Sequence, residues 1–323
     1  MNIAITGAQG FVATQLIEKL KYRDDINRIY LIDLEFSSQP FHPKLTYLTG
    51  NLTDVDFLEQ VFSQPLDYVF HLASIPGATA EKNPTLALQV NVIALTNIID
   101  ILARQPKKVC LINTSSVAVY GSCEKIVHEN DMPHPLSVYA THKVIGELLV
   151  SDAIRRGQIS GFSIRLPGIV ARKSGLHGFS SAFMSQIFWH LKNKQSLTLP
   201  VSMEAKTWWL SAEQTALNLC FAAFQLEKNN TQTVYQLPVL YASVEEVVRA
   251  ISCYCHDDRS GLIKVEIDDY IQKNFGSFPA LNTPYAEQQG FMHDGDLANL
   301  VKHVFEGYSG NTAIIGTECS LNL

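Results

Sequence analysis

An apolar run at 2–6, a glycine turn at 7–10 and an amphipathic stretch at 10–22 open the chain. Further short apolar runs at 28–33, 45–48, 68–73, 108–113 and 162–166 show little polar alternation, as strands buried on both faces do. Between them, 55–62, 84–103 and 137–156 repeat apolar residues at close to helical spacing. Strands alternating with helices predict an α/β fold, a doubly wound parallel sheet of the Rossmann type with its ligand at the carboxyl ends of the strands. Beyond 170 the pattern turns irregular. Ser243-Val-Glu-Glu246 is a capping box opening a helix to about residue 254, followed by a strand at 262–267 and a helix at 294–305. The expected division is a nucleotide-binding domain of 1–170 plus about 211–237, and a smaller C-terminal substrate lobe of 171–210 and 238–323. Residues 310–323 lack a strong period and are expected to form a loose tail.

The first turn carries chemistry. In Thr6-Gly-Ala-Gln-Gly-Phe-Val-Ala13, Gly7 allows a tight turn, Gly10 a close backbone approach, and Ala13 packing of helix on strand. The helix start then offers N–H groups to a pyrophosphate. Asp33 ends the second strand 23 residues past Gly10, close to the roughly 20-residue offset of a ribose-binding carboxylate. An acid there accepts hydrogen bonds from the ribose hydroxyls and repels a 2′-phosphate, which favours NAD over NADP. Leu34 and Glu35 follow it, with no arginine. Tyr139 and Lys143, four apart, share one helix face. An ammonium beside a phenol is expected to lower the phenol below its usual value near ~10, making it an acid/base group.

Composition narrows the classes. With 323 residues and 46% apolar, the chain fills a large core. A net charge of −6 argues against a nucleic-acid partner. No apolar run is read as approaching ~18 residues and no basic segment precedes the first strand, so neither a membrane span nor a signal peptide is expected. The six cysteines are scattered and read as reduced thiols of a cytoplasmic protein. Cys253-Tyr-Cys255-His256 lacks a second ligand pair at zinc spacing, so no metal site is expected.

Taken in order, the glycine turn, Gly50-Asn-Leu-Thr-Asp54, His71-Leu-Ala-Ser74, Asn91, Thr114-Ser-Ser-Val-Ala-Val-Tyr-Gly121, Tyr139-x-x-x-Lys143 and Arg165-Leu-Pro167 resemble the extended short-chain dehydrogenase/reductase superfamily. That family includes nucleotide-sugar epimerases and dehydratases. The resemblance implies Ser116 as catalytic serine, Tyr139 as acid/base, and Lys143 as the residue that holds the ribose and lowers the tyrosine pKa. It implies NAD along Gly7, Gln9, Gly10, Phe11, Val12, Asp33, Asn51, Leu52, Leu72, Ala73, Asn91, Thr114, Tyr139, Lys143 and Pro167. Within that set, Asn51 and Leu52 flank the adenine and Pro167 lies at the nicotinamide amide. Substrate would meet Ser74, Ser116, Tyr139 and Arg172. His71 is expected to be structural. Val117-Ala118 stand where dehydratases carry an Asp-Glu pair, which disfavours dehydration. The resemblance also implies a homodimer packed through helices 84–103 and 137–156.

The second half, in Gly178-Phe-Ser-Ser181, Leu199-Pro-Val-Ser202, Trp208-Trp-Leu-Ser211 and Phe275-Gly-Ser-Phe-Pro279, is similar to the D-erythronate dehydrogenase subfamily. That likeness implies an NAD-dependent oxidoreductase acting on the C2 hydroxyl of a short sugar acid to give the 2-oxo acid. The alternative is a nucleotide-sugar 4-epimerase that retains its NAD. A diphosphate needs cations, and only Arg172, Arg249 and Arg259 are arginines beyond 170. The run from Arg172 to Gly178 departs from the subfamily's Pro-Gly-x-Pro-Asn pattern. A carboxylate substrate calls for a guanidinium, with Arg172 the first candidate and Lys206 the second. Arg165, after an apolar strand, is expected to brace the fold. Adjacent strand residues alternate faces, so at most one of Trp208 and Trp209 is expected to line the pocket.

Overall fold

The computed structural model describes residues 1–122, 125–173, 181–227 and 232–307. Seven strands form the central sheet in the order Val234–Gln236, Ser160–Leu166, Cys110–Ser116, Tyr68–His71, Asn2–Thr6, Arg28–Asp33 and Leu45–Thr49. All neighbours run parallel. The order of strands reverses between Asn2–Thr6 and Tyr68–His71, which opens a crevice outside their carboxyl ends. Helices on both faces bury most residues of the inner strands, hence their largely apolar sequences. On one face Leu16, Leu20, Leu219 and Ala223 from helices Phe11–Leu20 and Ala212–Phe224 pack on Ile3, Ile5, Phe70 and Ile112. On the other, Leu58, Phe62, Ile98, Leu102 and Val150 pack on Ala4, Val69 and Leu111.

The single helix expected at 84–103 is composite. Gly77–Lys82 forms its own short helix, Pro84–Leu88 starts a new one under an Asn83 cap, and Gln89–Ile93 makes a π turn before Ala94–Leu102. This segment also corrects the expectation about apolar runs. Pro84–Leu102 is long and apolar enough to cross a membrane, with mean hydropathy 1.7. Its polar positions, apart from Asp100, are uncharged. Half of it is buried in the fold, where Leu95, Ile98, Ile99 and Leu102 join the sheet's core.

A second, smaller sheet is built on Lys206–Ser211, parallel to Gly168–Val170 and antiparallel to Leu240–Ser243. Helices Ala182–Lys192, Val244–Tyr254 and Leu297–Glu306 surround Trp209. The capping box forms, with Ser243 Oγ accepting from Glu246 N at 3.2 Å and Glu246 Oε2 from Ser243 N at 2.7 Å. Trp208 and Trp209 are both buried, so neither lines an open pocket, within the expectation of at most one. Trp208 stacks on Phe278 and donates to Pro279 O at 2.7 Å, while Trp209 donates to Ala242 O at 3.0 Å. The strand is covered on both faces, which leaves neither indole an open side.

Ser211 joins the two units, because it ends this strand and caps the helix Ala212–Phe224. Asp294 accepts from Ser211 N at 2.9 Å and Ser211 Oγ at 2.5 Å, and its other neighbour is His303 Nδ1 at 2.6 Å. The Asp294 hydrogen bond raises His303 above its ordinary 6.5 against the effect of burial. A raised folded-state value means that the stabilisation is full below the ordinary value and is lost as pH rises through the folded one. His303→Gln should therefore lower Tm more near pH 5.5 than near pH 9, by on the order of 2 °C in thermal melts. Equal losses at both pH values would remove the imidazolium from this account.

Candidate active site

Three adjacent strands deliver the crevice floor. Thr6 Oγ1 lies 2.8 Å from His71 Nδ1 and accepts from Ala73 N at 3.3 Å. Thr114 Oγ1 donates to His71 O at 3.0 Å. Burial, with Lys143 nearby, pushes His71 down to about 3, so the ring is neutral under ordinary conditions and ties strands together.

The glycine turn rises from Thr6. Gly7 has φ +66° and a Cβ there would lie 2.8 Å from Ala73 N, so both backbone conformation and space demand glycine. Gly10 precedes Phe11 and Val12 as an N-cap with no side-chain cap hydrogen bond, so the helix start is turned toward the crevice by backbone alone. Asp33 Oδ2 accepts from Gln9 N at 2.8 Å, which sets the carboxylate beside the turn. Gln9 Oε1 in turn accepts from Ser37 N at 2.5 Å and pins the following loop. Gly50 N donates to Asp33 O at 3.0 Å, bringing Asn51 and Leu52 alongside. Leu72 N donates to Thr6 O at 3.2 Å, so Leu72 and Ala73 border the turn. Asn91, in the π turn, is buried and accepts from Ile75 N at 2.7 Å and Ser74 Oγ at 3.2 Å. Its Nδ2 donates to Ile75 O at 3.1 Å, so its amide shapes the 74–75 loop. Pro167 links Ser160–Leu166 to Gly168–Val170.

Ser116 ends its strand, and its Oγ accepts from Ala118 N at 3.1 Å, capping the turn Val117–Tyr120. Tyr139 and Lys143 ride on the helix Val138–Arg155, whose start is held by Ser137 and by Glu81, which accepts from Val138 N at 2.7 Å. Lys143 Nζ stands 5.5 Å from the Tyr139 ring centroid and donates to Thr114 O at 2.8 Å. Burial pushes Lys143 down to about 8, opposed by Glu147. Burial raises the Tyr139 phenol above 10.0, opposed by the adjacent Ser116 hydroxyl. The expected lowering of the phenol is thus reversed in the protein itself, because burial outweighs its polar neighbours. Tyr139 stands ready as a protonated donor toward an oxygen.

Arg172 is anchored through its backbone, its N–H to Ser185 Oγ at 3.1 Å and its carbonyl to Trp189 Nε1 at 3.0 Å. Its guanidinium lies 5.6 Å from the Phe11 ring centroid, facing the glycine turn. Lys206 lies over Tyr241 at 5.3 Å, with Glu246 nearby. The expectations for 174–178 and for the tail 310–323 fall outside the described residues.

The sequence reading missed three residues. Glu147, Tyr120 and Glu129 form a buried group around Arg165, which makes two 2.8 Å bonds to Glu147 and one of 3.0 Å to Tyr120 Oη. The signal was Arg165 itself. A guanidinium ending an apolar strand needs a buried acid, and Glu147 stands one helical turn past Lys143.

A family model described as the NAD dependent epimerase/dehydratase family matches residues 3–237. The chain belongs to this family. A D-erythronate dehydrogenase of Haemophilus influenzae is 28% identical over 95% of this chain and 99% of its own. One from Cupriavidus necator is 29% identical over 95% and 98%. A solved structure described as the nucleoside-diphosphate-sugar epimerase from Agrobacterium tumefaciens superposes with a TM-score of 0.88, at 26% identity over 96% of this chain and 95% of its own. The protein is thus an NAD-dependent oxidoreductase of the extended short-chain type. The crevice fits that cofactor, with a backbone cradle that a Cβ at Gly7 would fill and an acid at Asp33 beside it.

Proposed function

We propose that the protein oxidises the C2 hydroxyl of a short, D-erythronate-like sugar acid to the 2-oxo acid. The observation that carries this reading is the reach of the two dehydrogenase matches over 95% of the chain, the smaller lobe included. In this reading 1–170 with about 211–237 holds NAD, and 171–210 with 238–323 holds the acid. NAD, when bound, supplies a hydride acceptor and a cationic ring. Asp33 accepts from its ribose hydroxyls, and the N–H groups at Phe11 and Val12 meet its pyrophosphate. Lys143 donates to the second ribose and favours the phenolate electrostatically. Ser116 and Ser74 hold the substrate, and Tyr139 Oη takes the C2 hydroxyl proton. Arg172 clamps the carboxylate.

The epimerase reading has one observation in its favour, the similarity to the Agrobacterium tumefaciens structure. Against it, Arg249 pairs with Glu245 at 3.0 Å and Arg259 with Asp257 at 3.6 Å, so both are drawn to acids of the lobe. The homodimer belongs to this reading too. Leu86, Leu88, Ile93 and Leu148 are exposed on the helices named for it.

Three outcomes are expected. D-erythronate with NAD⁺ should give stoichiometric NADH by absorbance, and Tyr139→Phe should lower turnover at least ~100-fold with cofactor binding retained. Isomerised nucleotide sugar without net NADH would replace this reading with the epimerase. Arg172→Ala should raise KM for the acid roughly tenfold and leave a neutral polyol nearly unaffected; equal effects would refute carboxylate binding. Light scattering should return twice the 35.9 kDa chain mass, and a monomer would sink the dimer.

A further inference from the structure

We propose that Glu147 is a positioning residue for the Ser116, Tyr139 and Lys143 group. It locks the strand end that carries Ser116 to the helix that carries the other two, and it presents a carboxylate to Lys143. Both of its oxygens are engaged. Oε1 accepts from Ser115 Oγ at 2.5 Å and Arg165 Nε at 2.8 Å, and Oε2 from Arg165 Nη2 at 2.8 Å. Ser115 adjoins Ser116 and pairs in register with Arg165 on the neighbouring strand. One carboxylate therefore joins two strands and one helix directly beneath the reacting groups.

The network continues outward. Arg165 Nη1 donates to Tyr120 Oη at 3.0 Å and to Glu129 O at 3.4 Å. The Glu129 carboxylate accepts from Tyr285 N at 2.6 Å and Ala286 N at 3.0 Å, at the start of the helix Pro284–Gln289, whose Ala286 packs in the core of the main sheet. A buried ion pair of this kind is costly to desolvate and seldom the most stabilising choice for a core. Its reward lies in the order it imposes on Ser115 and on the helix.

The charged and titratable groups around Lys143 give Glu147 a second task. From its own helix Lys143 faces Tyr139 and Glu147, and from Tyr68–His71 it faces His71. Glu147 itself faces Arg165 from Ser160–Leu166 and Tyr120 from the turn, and Tyr120 is also within the field of Asp131. His71 is neutral and Tyr139 protonated, so Glu147 is the anion in this set that opposes the effect of burial on the ammonium. Removal of its charge should let Lys143 lose its proton at lower pH.

This inference rests on Lys143 meeting the ribose of NAD, and its test needs no substrate. NADH fluorescence titrations from about pH 6 to pH 10 on the full chain report affinity as the ammonium titrates. Wild type should weaken roughly tenfold as pH rises through about 8. Glu147→Gln should move that midpoint down by at least about half a pH unit, and Glu147→Asp should restore most of it. If thermal melts show Glu147→Gln unfolded, Glu147→Gln/Arg165→Gln, which leaves no unpaired buried charge, is titrated instead with the same direction of shift expected. A folded variant whose midpoint coincides with wild type overturns the inference alone. A flat wild-type profile refutes the ribose role of Lys143 and takes the inference with it.

Discussion

The contact between Thr6 and His71 is the constraint on which the site depends. It spans the point where strand order reverses, so it fixes the two strand ends between which the crevice opens. From His71 the line passes through its carbonyl to Thr114, and from the Thr114 carbonyl to Lys143. Four residues thus set the glycine turn, the strand that ends in Ser116 and the helix of Tyr139 in one frame. A parallel sheet buried on both faces makes this possible, since strand ends in such a sheet cannot slide without moving every side chain to the wrong face.

Electrostatics then divides the labour. Burial favours the neutral forms of both Lys143 and Tyr139, and both shifts run in that direction. A protonated phenol hydrogen-bonds an alcohol oxygen but does not take its proton. In the proposed reading, an oxidised nicotinamide would add to the charge of Lys143 in favouring the phenolate of Tyr139. Without such a charge, burial makes the phenolate the costly state.

How far this was readable from sequence depends on what each signal reports. Apolar runs report burial, so six of the seven central strands were located; Val234–Gln236 is too short to stand out. Gly7, Asp33, Ser116, Tyr139 and Lys143 carry spacing, and spacing survives folding; the structure brings them to one crevice. The π turn at Asn91 adds one residue to a helical turn, which a period of 3.6 does not register. Alternation places Trp208 and Trp209 on two faces of their strand but does not say what covers each. The direction of the Tyr139 shift was lost for a related reason: a four-residue interval shows that Lys143 is near, and nothing of how dry the site is.

Substrate selection rests on a narrower base than cofactor binding, and charge counting shows why. Arg249 and Arg259 are each drawn to a neighbouring acid, Glu245 and Asp257, while Arg172 faces Phe11 at the edge of the glycine turn. A diphosphate carries more charge than one guanidinium answers, whereas a single carboxylate matches a bidentate fork. Held by backbone bonds to Ser185 and Trp189, Arg172 keeps a fixed station between the lobe and the turn. The same anchor leaves a sugar linked to a nucleotide without a second cation from Arg249 or Arg259, which is the physical ground for preferring the small substrate.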